Sequence, residues 1–149
     1  MSAVVDQRGV LWTWGVEDMH GHPEDGNQLT PRAVEAFIQG EHRIKAVACG
    51  YSYAVCLTEA GRVFVFGQIG WRRDAAGQPT DERIEQRLPL ELIHPLLGEE
   101  RVVGVAAYSD TWTTRTGAVT SGRRLLLWGS HSADSQRHEA EVEERPLPR

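Results

Sequence analysis

Length, composition and charge limit this chain to a modest, mildly acidic globular protein. Its 149 residues allow one ordinary domain, and 21 acidic residues against 16 basic ones give a net charge of −5. That balance argues against broad electrostatic binding of nucleic acid. There is no run of about eighteen apolar residues, so no transmembrane span is predicted. Residues Met1–Asp6 lack the basic and long apolar regions of a signal peptide.

The two cysteines, Cys49 and Cys56, lie in strand-like segments. We expect both to be small buried hydrophobes, since their spacing is not that of a CxxC metal or redox motif. We infer a reducing, intracellular location, cytoplasmic or nuclear.

The first predicted strand pair surrounds a motif that returns twice. Gly9–Gly15 (GVLWTWG) is a turn glycine, a short apolar run with an aromatic residue, and a second glycine. Ala3–Arg8 before it contains only the tail of a longer unit that later copies show more fully. We therefore expect the chain to open inside a repeat, and we favour a fragment or truncated product of a larger protein. Ring closure by self-association and an open stack are the alternatives.

Two features follow the first motif. His20 and His22 with Glu24 and Asp25 have ligand types suited to zinc, but two close histidines in a Gly/Pro loop form no recognised metal site. We expect a mobile polar loop and no metal. Residues 31–40 place apolar side chains at helical spacing, yet they would equally suit the outer strand of a sheet. Both interpretations stay open.

The second unit is the most complete. Ile44–Gly50, Tyr53–Gly61 and Gly61–Gly67 (GRVFVFG) are short runs rich in β-branched and small residues, which predicts three strands. Val63 and Val65 should then point to one face and Phe64 and Phe66 to the other. Runs that are apolar on both faces suit a strand packed between neighbouring sheets. A plain β-sandwich is the weaker alternative, because it does not require a recurring unit.

An insertion makes the second unit longer than the first. It spans residues 68–87 and carries Trp71, Arg72 and Arg73, residue types that are enriched at interface hot spots. These three residues are the candidate partner-binding site. The competing interpretation is a solvated surface loop with Trp71 lying on the sheet.

The third unit is looser. Val102–Tyr108 and Gly122–Gly129 (GRRLLLWG) match earlier segments, with Gly122 as the expected turn glycine. Residues 131–149 lose the repeat and gain charge and proline, which predicts a disordered tail, with a short helix around residues 139–144 as the alternative. The repeat-defining structural positions are Gly9, Trp14, Gly15, Gly50, Gly61, Phe66, Gly67, Trp128 and Gly129.

The unit apolar–Ala–Cys–Gly–x–x–Tyr–Ala–Val–x–Leu–Thr–x–x–Gly–x–Val–Phe–x–Phe–Gly resembles the repeat of the regulator of chromosome condensation family. The resemblance covers residues 2–130 and spans about two and a half units. It implies a seven-bladed β-propeller with four-stranded blades, but this chain holds too few units for a full ring, which would need about 350 residues. We therefore expect an all-β protein of antiparallel propeller-type blades, an incomplete ring of about two to three blades at 1–130, followed by the tail at 131–149.

The resemblance also bears on function. An array of repeats usually works as a surface, so we expect a protein partner, no cofactor and no catalytic residue. The composition predicts no membrane span and no direct nucleic-acid contact. The alternative is regulation by guanine-nucleotide exchange on a Ran-type small GTPase, which an inserted hairpin engages in the family's exchange factor. Residues 68–87 do not match that hairpin residue by residue, so no functional residues carry over.

Overall fold

The computed structural model describes residues 1–15, 20–24, 26–76, 78–92, 99–109, 113–131 and 143–146, which form three antiparallel sheets and one short helix. The first sheet contains β1 (Ser2–Val5), β2 (Leu11–Gly15) and β3 (Gln28–Ala33), and helix α1 (Glu35–Gln39) follows it. The second contains β4 (Ile44–Cys49), β5 (Tyr53–Thr58), β6 (Val63–Arg73) and β7 (Pro79–Glu91). The third contains β8 (Val102–Ser109), β9 (Thr113–Thr120), β10 (Arg124–His131) and β11 (Glu143–Pro146).

Each sheet is a meander in which consecutive strands are hydrogen-bonded neighbours. The predicted fold class, all-β with antiparallel propeller-type blades, is confirmed. Within the described residues the sheets form an open series of three and no closed ring. Residues 31–40 satisfy both earlier interpretations, because β3 ends at Ala33 and α1 begins at Glu35. No helix in the described part is long and apolar enough to cross a membrane.

The middle sheet is buried on both faces, as its residue pattern predicts. Phe64 and Phe66 pack toward the first sheet, whereas Val63 and Val65 pack toward the third. Fully burying each such side chain stabilises the fold by about 1.5–3 kcal/mol. The core between sheets one and two contains Leu11, Val34, Phe37, Ile44, Ala54, Cys56, Phe64 and Phe66. The core between sheets two and three contains Tyr53, Val55, Leu57, Val63, Val65, Val102 and Ala118.

The repeated turn glycine has a defined structural role. Gly9 and Gly61 both adopt positive φ, 78° and 83°, at the last position of a three-residue hairpin loop. Their carbonyl groups accept hydrogen bonds from the first residue of the next sheet, Ile44 (2.8 Å) and Val102 (3.0 Å). The turn glycine therefore also links consecutive sheets.

The turn between β9 and β10 departs from the expected alignment. The hydroxyl of Thr120 accepts a hydrogen bond from the Arg124 amide, just as that of Thr58 accepts one from the Arg62 amide. This register places Arg123, with a φ of 63°, at the left-handed position, and Gly122 one residue before it. Gly122 is thus not the equivalent of Gly61, and the sequence alignment was wrong by one residue. An Arg-for-Gly exchange at a left-handed position costs about 1–3 kcal/mol.

This mismatch predicts a stabilising substitution. Arg123→Gly should exceed Arg123→Ala in free energy of unfolding by about 1 kcal/mol, because both variants lose the side chain and only glycine relieves the strained backbone. The glycine's larger unfolded-state entropy offsets part of the gain. Urea denaturation of the two variants measures the difference. Equal stabilities would show that residue 123 is not in the left-handed conformation in solution.

Two further expectations need correction. Cys56 is buried, but Cys49 is exposed because it ends β4, an edge strand. In the segment 131–149, for which a disordered tail was predicted, residues 143–146 form β11, since β10 offers them a free edge to pair with. His131 belongs to β10. The rest of that segment lies outside the described residues.

Candidate functional site

The insertion at residues 68–87 is a β-hairpin. The expected loop is instead a continuation of β6 and β7, which pair from Phe64 and Glu91 outward to Arg73 and Pro79. Gly67 of β6 lies opposite Tyr53, the first residue of β5, so the six residues from 68 to 73 extend past the end of that strand. At about 3.3 Å per residue the hairpin projects about 20 Å. The β-branched and aromatic residues of β6 favour continuing the strand.

The tip of the hairpin is held by local hydrogen bonds. The carboxylate of Asp74 accepts bonds from the Ala76 and Gln78 amides, both at 2.9 Å, and the Asp74 amide donates to the Gln78 carbonyl at 2.9 Å. The hydroxyl of Thr80 donates to the Arg72 carbonyl at 2.9 Å. Such bonds fix the conformation of the tip.

Of the three predicted site residues, the structure describes one side chain. Arg72 is exposed and forms an ion pair with Glu82, with Nε and Oε1 3.0 Å apart. An exposed pair of this kind adds at most about 1 kcal/mol to stability, so Arg72 is free to exchange its partner. The backbone of Trp71 pairs with that of Arg83. The side chains of Trp71 and Arg73 lie outside the described part of the chain, and the site remains a prediction.

Two exposed tyrosines, which the sequence did not single out, lie at the same end of the strands as the hairpin. Tyr51 in the β4–β5 loop is 65% exposed and Tyr108 near the end of β8 is 57% exposed. The Tyr51 amide donates to the Ser109 hydroxyl at 2.5 Å, which brings the two loops together. We call this end, with Tyr51, Tyr108 and residues 68–87, the hairpin end. Exposed tyrosines are a type enriched at interfaces, but their exposure is not visible from the sequence pattern.

Tyr53 fixes the position of these loops. It is buried, and its hydroxyl donates to the Arg115 carbonyl and lies 3.0 Å from the Thr116 hydroxyl, both on β9. Burial raises the pKa of the phenol, so it remains a neutral donor. Tyr53 therefore joins the second sheet to the third directly below Tyr51 and Tyr108.

The histidine loop (residues 20–24) is also at this end, and its two histidine side chains are buried where a mobile polar loop was expected. His20 and His22 are each 4% exposed. The Thr13 hydroxyl donates to the His20 carbonyl at 2.6 Å and lies 3.0 Å from Nε2 of His22. Burial, with Arg32 nearby, lowers the pKa of His22 and favours its neutral form. These contacts, which the sequence did not reveal, hold His20 and His22 against Thr13 of β2.

Comparisons with known proteins agree with the repeat. The family model described as "Regulator of chromosome condensation (RCC1) repeat" matches residues 44–68. A Danio rerio protein named Protein RCC2 homolog is 34% identical over 82 residues, which are 54% of this chain and 16% of that protein. The Homo sapiens E3 ubiquitin-protein ligase HERC2 is 31% identical over 117 residues, 76% of this chain and 2% of the ligase. The chain thus spans a small part of each relative.

A solved structure extends the likeness to the fold. The crystal structure of human WBSCR16 matches with a TM-score of 0.67 and 21% identity, covering 98% of this chain and 37% of that protein. At this identity the match concerns the arrangement of strands alone. It covers the first and third sheets as well as the second, which carries the family-model match.

Proposed function

We propose that this chain, a member of the regulator of chromosome condensation repeat family, is a protein-binding module that docks a partner at its hairpin end. The observation that carries the proposal is the ordered hairpin of β6 and β7, which projects beyond the neighbouring strands. Its exposed side chains include the charged residues Arg72, Asp74 and Glu82, whereas a strand packed between sheets carries apolar ones. A rigid sheet that displays a preformed loop is a common way to build a binding site.

The side chains at this end suit recognition by surface complementarity. Tyr51 and Tyr108 supply large amphipathic contacts beside the hairpin's mixed charges. We place the interaction inside the cell, in the cytoplasm or nucleus. Binding of this kind needs no covalent step, so the module acts by positioning its partner.

The test uses two matched ion pairs at opposite ends of the strands. Arg43 and Glu59 form an exposed pair beside the β5–β6 turn, as Arg72 and Glu82 do on the hairpin. Partners would be recovered by affinity capture, identified and purified, and their dissociation constants measured by calorimetry. Arg72→Glu should weaken binding at least about tenfold, whereas Arg43→Glu should leave it unchanged.

Any of three results would reject the proposal. If both variants bind like the parent chain, or both weaken equally, the hairpin end is not the docking site. If no purified protein binds saturably, the chain is not a protein-binding module in isolation. Tyr51→Ala provides a second variant at the same end that leaves the ion pairs in place.

Guanine-nucleotide exchange on a Ran-type small GTPase is the second candidate. The feature that favours it is again the inserted hairpin, because exchange requires only preferential stabilisation of the nucleotide-free GTPase and no nucleophile. Release of labelled GDP from a purified Ran-type GTPase would be measured with and without this chain. Exchange predicts acceleration that Trp71→Ala or Arg72→Ala removes. Binding without acceleration leaves the docking role alone.

A further inference from the structure

Within the described residues, the open series of three sheets ends in two different faces, each apolar over most of its strands. The outer face of the first sheet, which we call the leading face, contains Ser2, Val4, Trp12, Trp14 and Ala33. The outer face of the third sheet, the trailing face, contains Gly104, Ala106, Gly117, Val119, Leu125 and Leu127. On the edge strand β11, Glu143 and Arg145 stand in register with Leu127 and Leu125. Val4 is 48% exposed, Ala106 is exposed, and the two tryptophans and two leucines are only partly buried.

Strand register shows which side of an internal interface each end face resembles. Trp12 and Trp14 occupy the positions in β2 that Phe64 and Phe66 occupy in β6, since each pair stands at the same distance from the hairpin turn. The Phe64 and Phe66 side of the second sheet packs against the first sheet. The leading face is therefore a surface of the kind that a preceding sheet covers.

The trailing face has the complementary character. Leu125 and Leu127 occupy the positions in β10 that Val63 and Val65 occupy in β6. The Val63 and Val65 side packs against the following sheet, next to Trp128. Each internal interface thus joins an aliphatic face to a face that bears aromatic residues. The leading face is of the aromatic kind and the trailing face is of the aliphatic kind.

We propose that two copies of this chain associate head to tail, with the trailing face of one copy packed on the leading face of the next. The contact is heterologous, because different surfaces meet, and it repeats the geometry of the interfaces inside the chain. Burial of Trp12 and Trp14 against Leu125 and Leu127 supplies the apolar area. Association removes both half-exposed faces from water at each junction.

The test blocks one face at a time at positions that are exposed in the single chain. Val4→Glu blocks the leading face, and Ala106→Glu blocks the trailing face. Sedimentation velocity of the 149-residue chain should show association that grows with concentration. Each variant alone should sediment as a monomer, and an equimolar mixture should form a dimer that grows no further, because each variant retains the one face that the other needs.

Three outcomes would overturn the proposal. A parent chain that stays monomeric at its highest soluble concentration shows that the faces do not self-associate. Dimers of Ala106→Glu alone would mean that two leading faces pair with each other. A mixture that stays monomeric while the parent associates would place the contact elsewhere. Far-ultraviolet circular dichroism confirms that each variant is folded, and Val4→Lys replaces Val4→Glu if it is not.

Discussion

Replacing Gly67 with alanine is expected to destabilise the chain by about 3 kcal/mol. Gly67 has a φ of 105°, a region that alanine adopts only with strain, and an added Cβ would lie 2.5 Å from Cα of Tyr53. Backbone strain of about 1–3 kcal/mol and steric overlap of similar size add together. The contact is with the backbone of the neighbouring strand β5, which cannot move without breaking its pairing with β4.

Thermal denaturation followed by circular dichroism provides the measurement. For a chain of this length, about 3 kcal/mol lowers Tm by about 6–12 °C. Gly104→Ala is the matched control, since its added Cβ meets no atom within 4 Å and its φ is not positive. That variant should melt within a degree or two of the parent, at about ±0.5 kcal/mol. If the two alanine variants melt together, close packing does not explain the second glycine of the motif.

The same geometry explains why the motif recurs. Gly15 and Gly129 stand at the positions of Gly67 in the other two sheets, with φ values of 148° and 156°. An added Cβ would lie 3.0 Å from Cα of Met1 at Gly15, and would overlap the Thr114 carbonyl at Gly129. At Gly67 and Gly129 a neighbouring backbone passes too close for a side chain, whereas at Gly15 the positive φ and a tight contact with Met1 together favour glycine.

The sequence predicts this fold where local pattern and packing coincide. The alternation of Val63 and Val65 with Phe64 and Phe66 was sufficient to predict a strand buried on both faces, because strand periodicity is a local property. The turn at Arg123 was not predictable in the same way. Gly122 stands beside Arg123 in the sequence and suggests the wrong position for the turn. The hydrogen bond from the Arg124 amide to the Thr120 hydroxyl establishes the register of the hairpin.

The candidate site was harder to predict, since it depends on contacts between distant segments. Residues 68–87 were singled out by length and composition, yet their hairpin form follows from pairing across the insertion. The burial of His20 and His22 depends on Thr13, seven and nine residues earlier, and on the sheet beneath. Tyr51 and Tyr108 come together only because Tyr53 and Ser109 join two sheets.

Truncating Phe66 to alanine is expected to destabilise the chain by about 3–5 kcal/mol, the largest effect of any side-chain truncation considered. Phe66 is fully buried between the first and second sheets, and its ring edge lies against Gly21 of the histidine loop. Its removal loses apolar burial and leaves a cavity that neighbouring strands, fixed by their hydrogen bonds, cannot fill. We therefore expect the truncation to weaken the core and to loosen the histidine loop at the hairpin end.

Urea denaturation measures the loss, and hydrogen exchange locates it. Protection should fall most in β2 and β6, which flank the cavity, and least in β9, beyond the second core. Leu29→Ala is the control, because Leu29 is 73% exposed and its truncation should cost less than about 0.5 kcal/mol. A Phe66→Ala variant that loses under about 1 kcal/mol would show that the first two sheets are not held together by this core. The stack would then depend on the Gly9–Ile44 hydrogen bond and its neighbours instead.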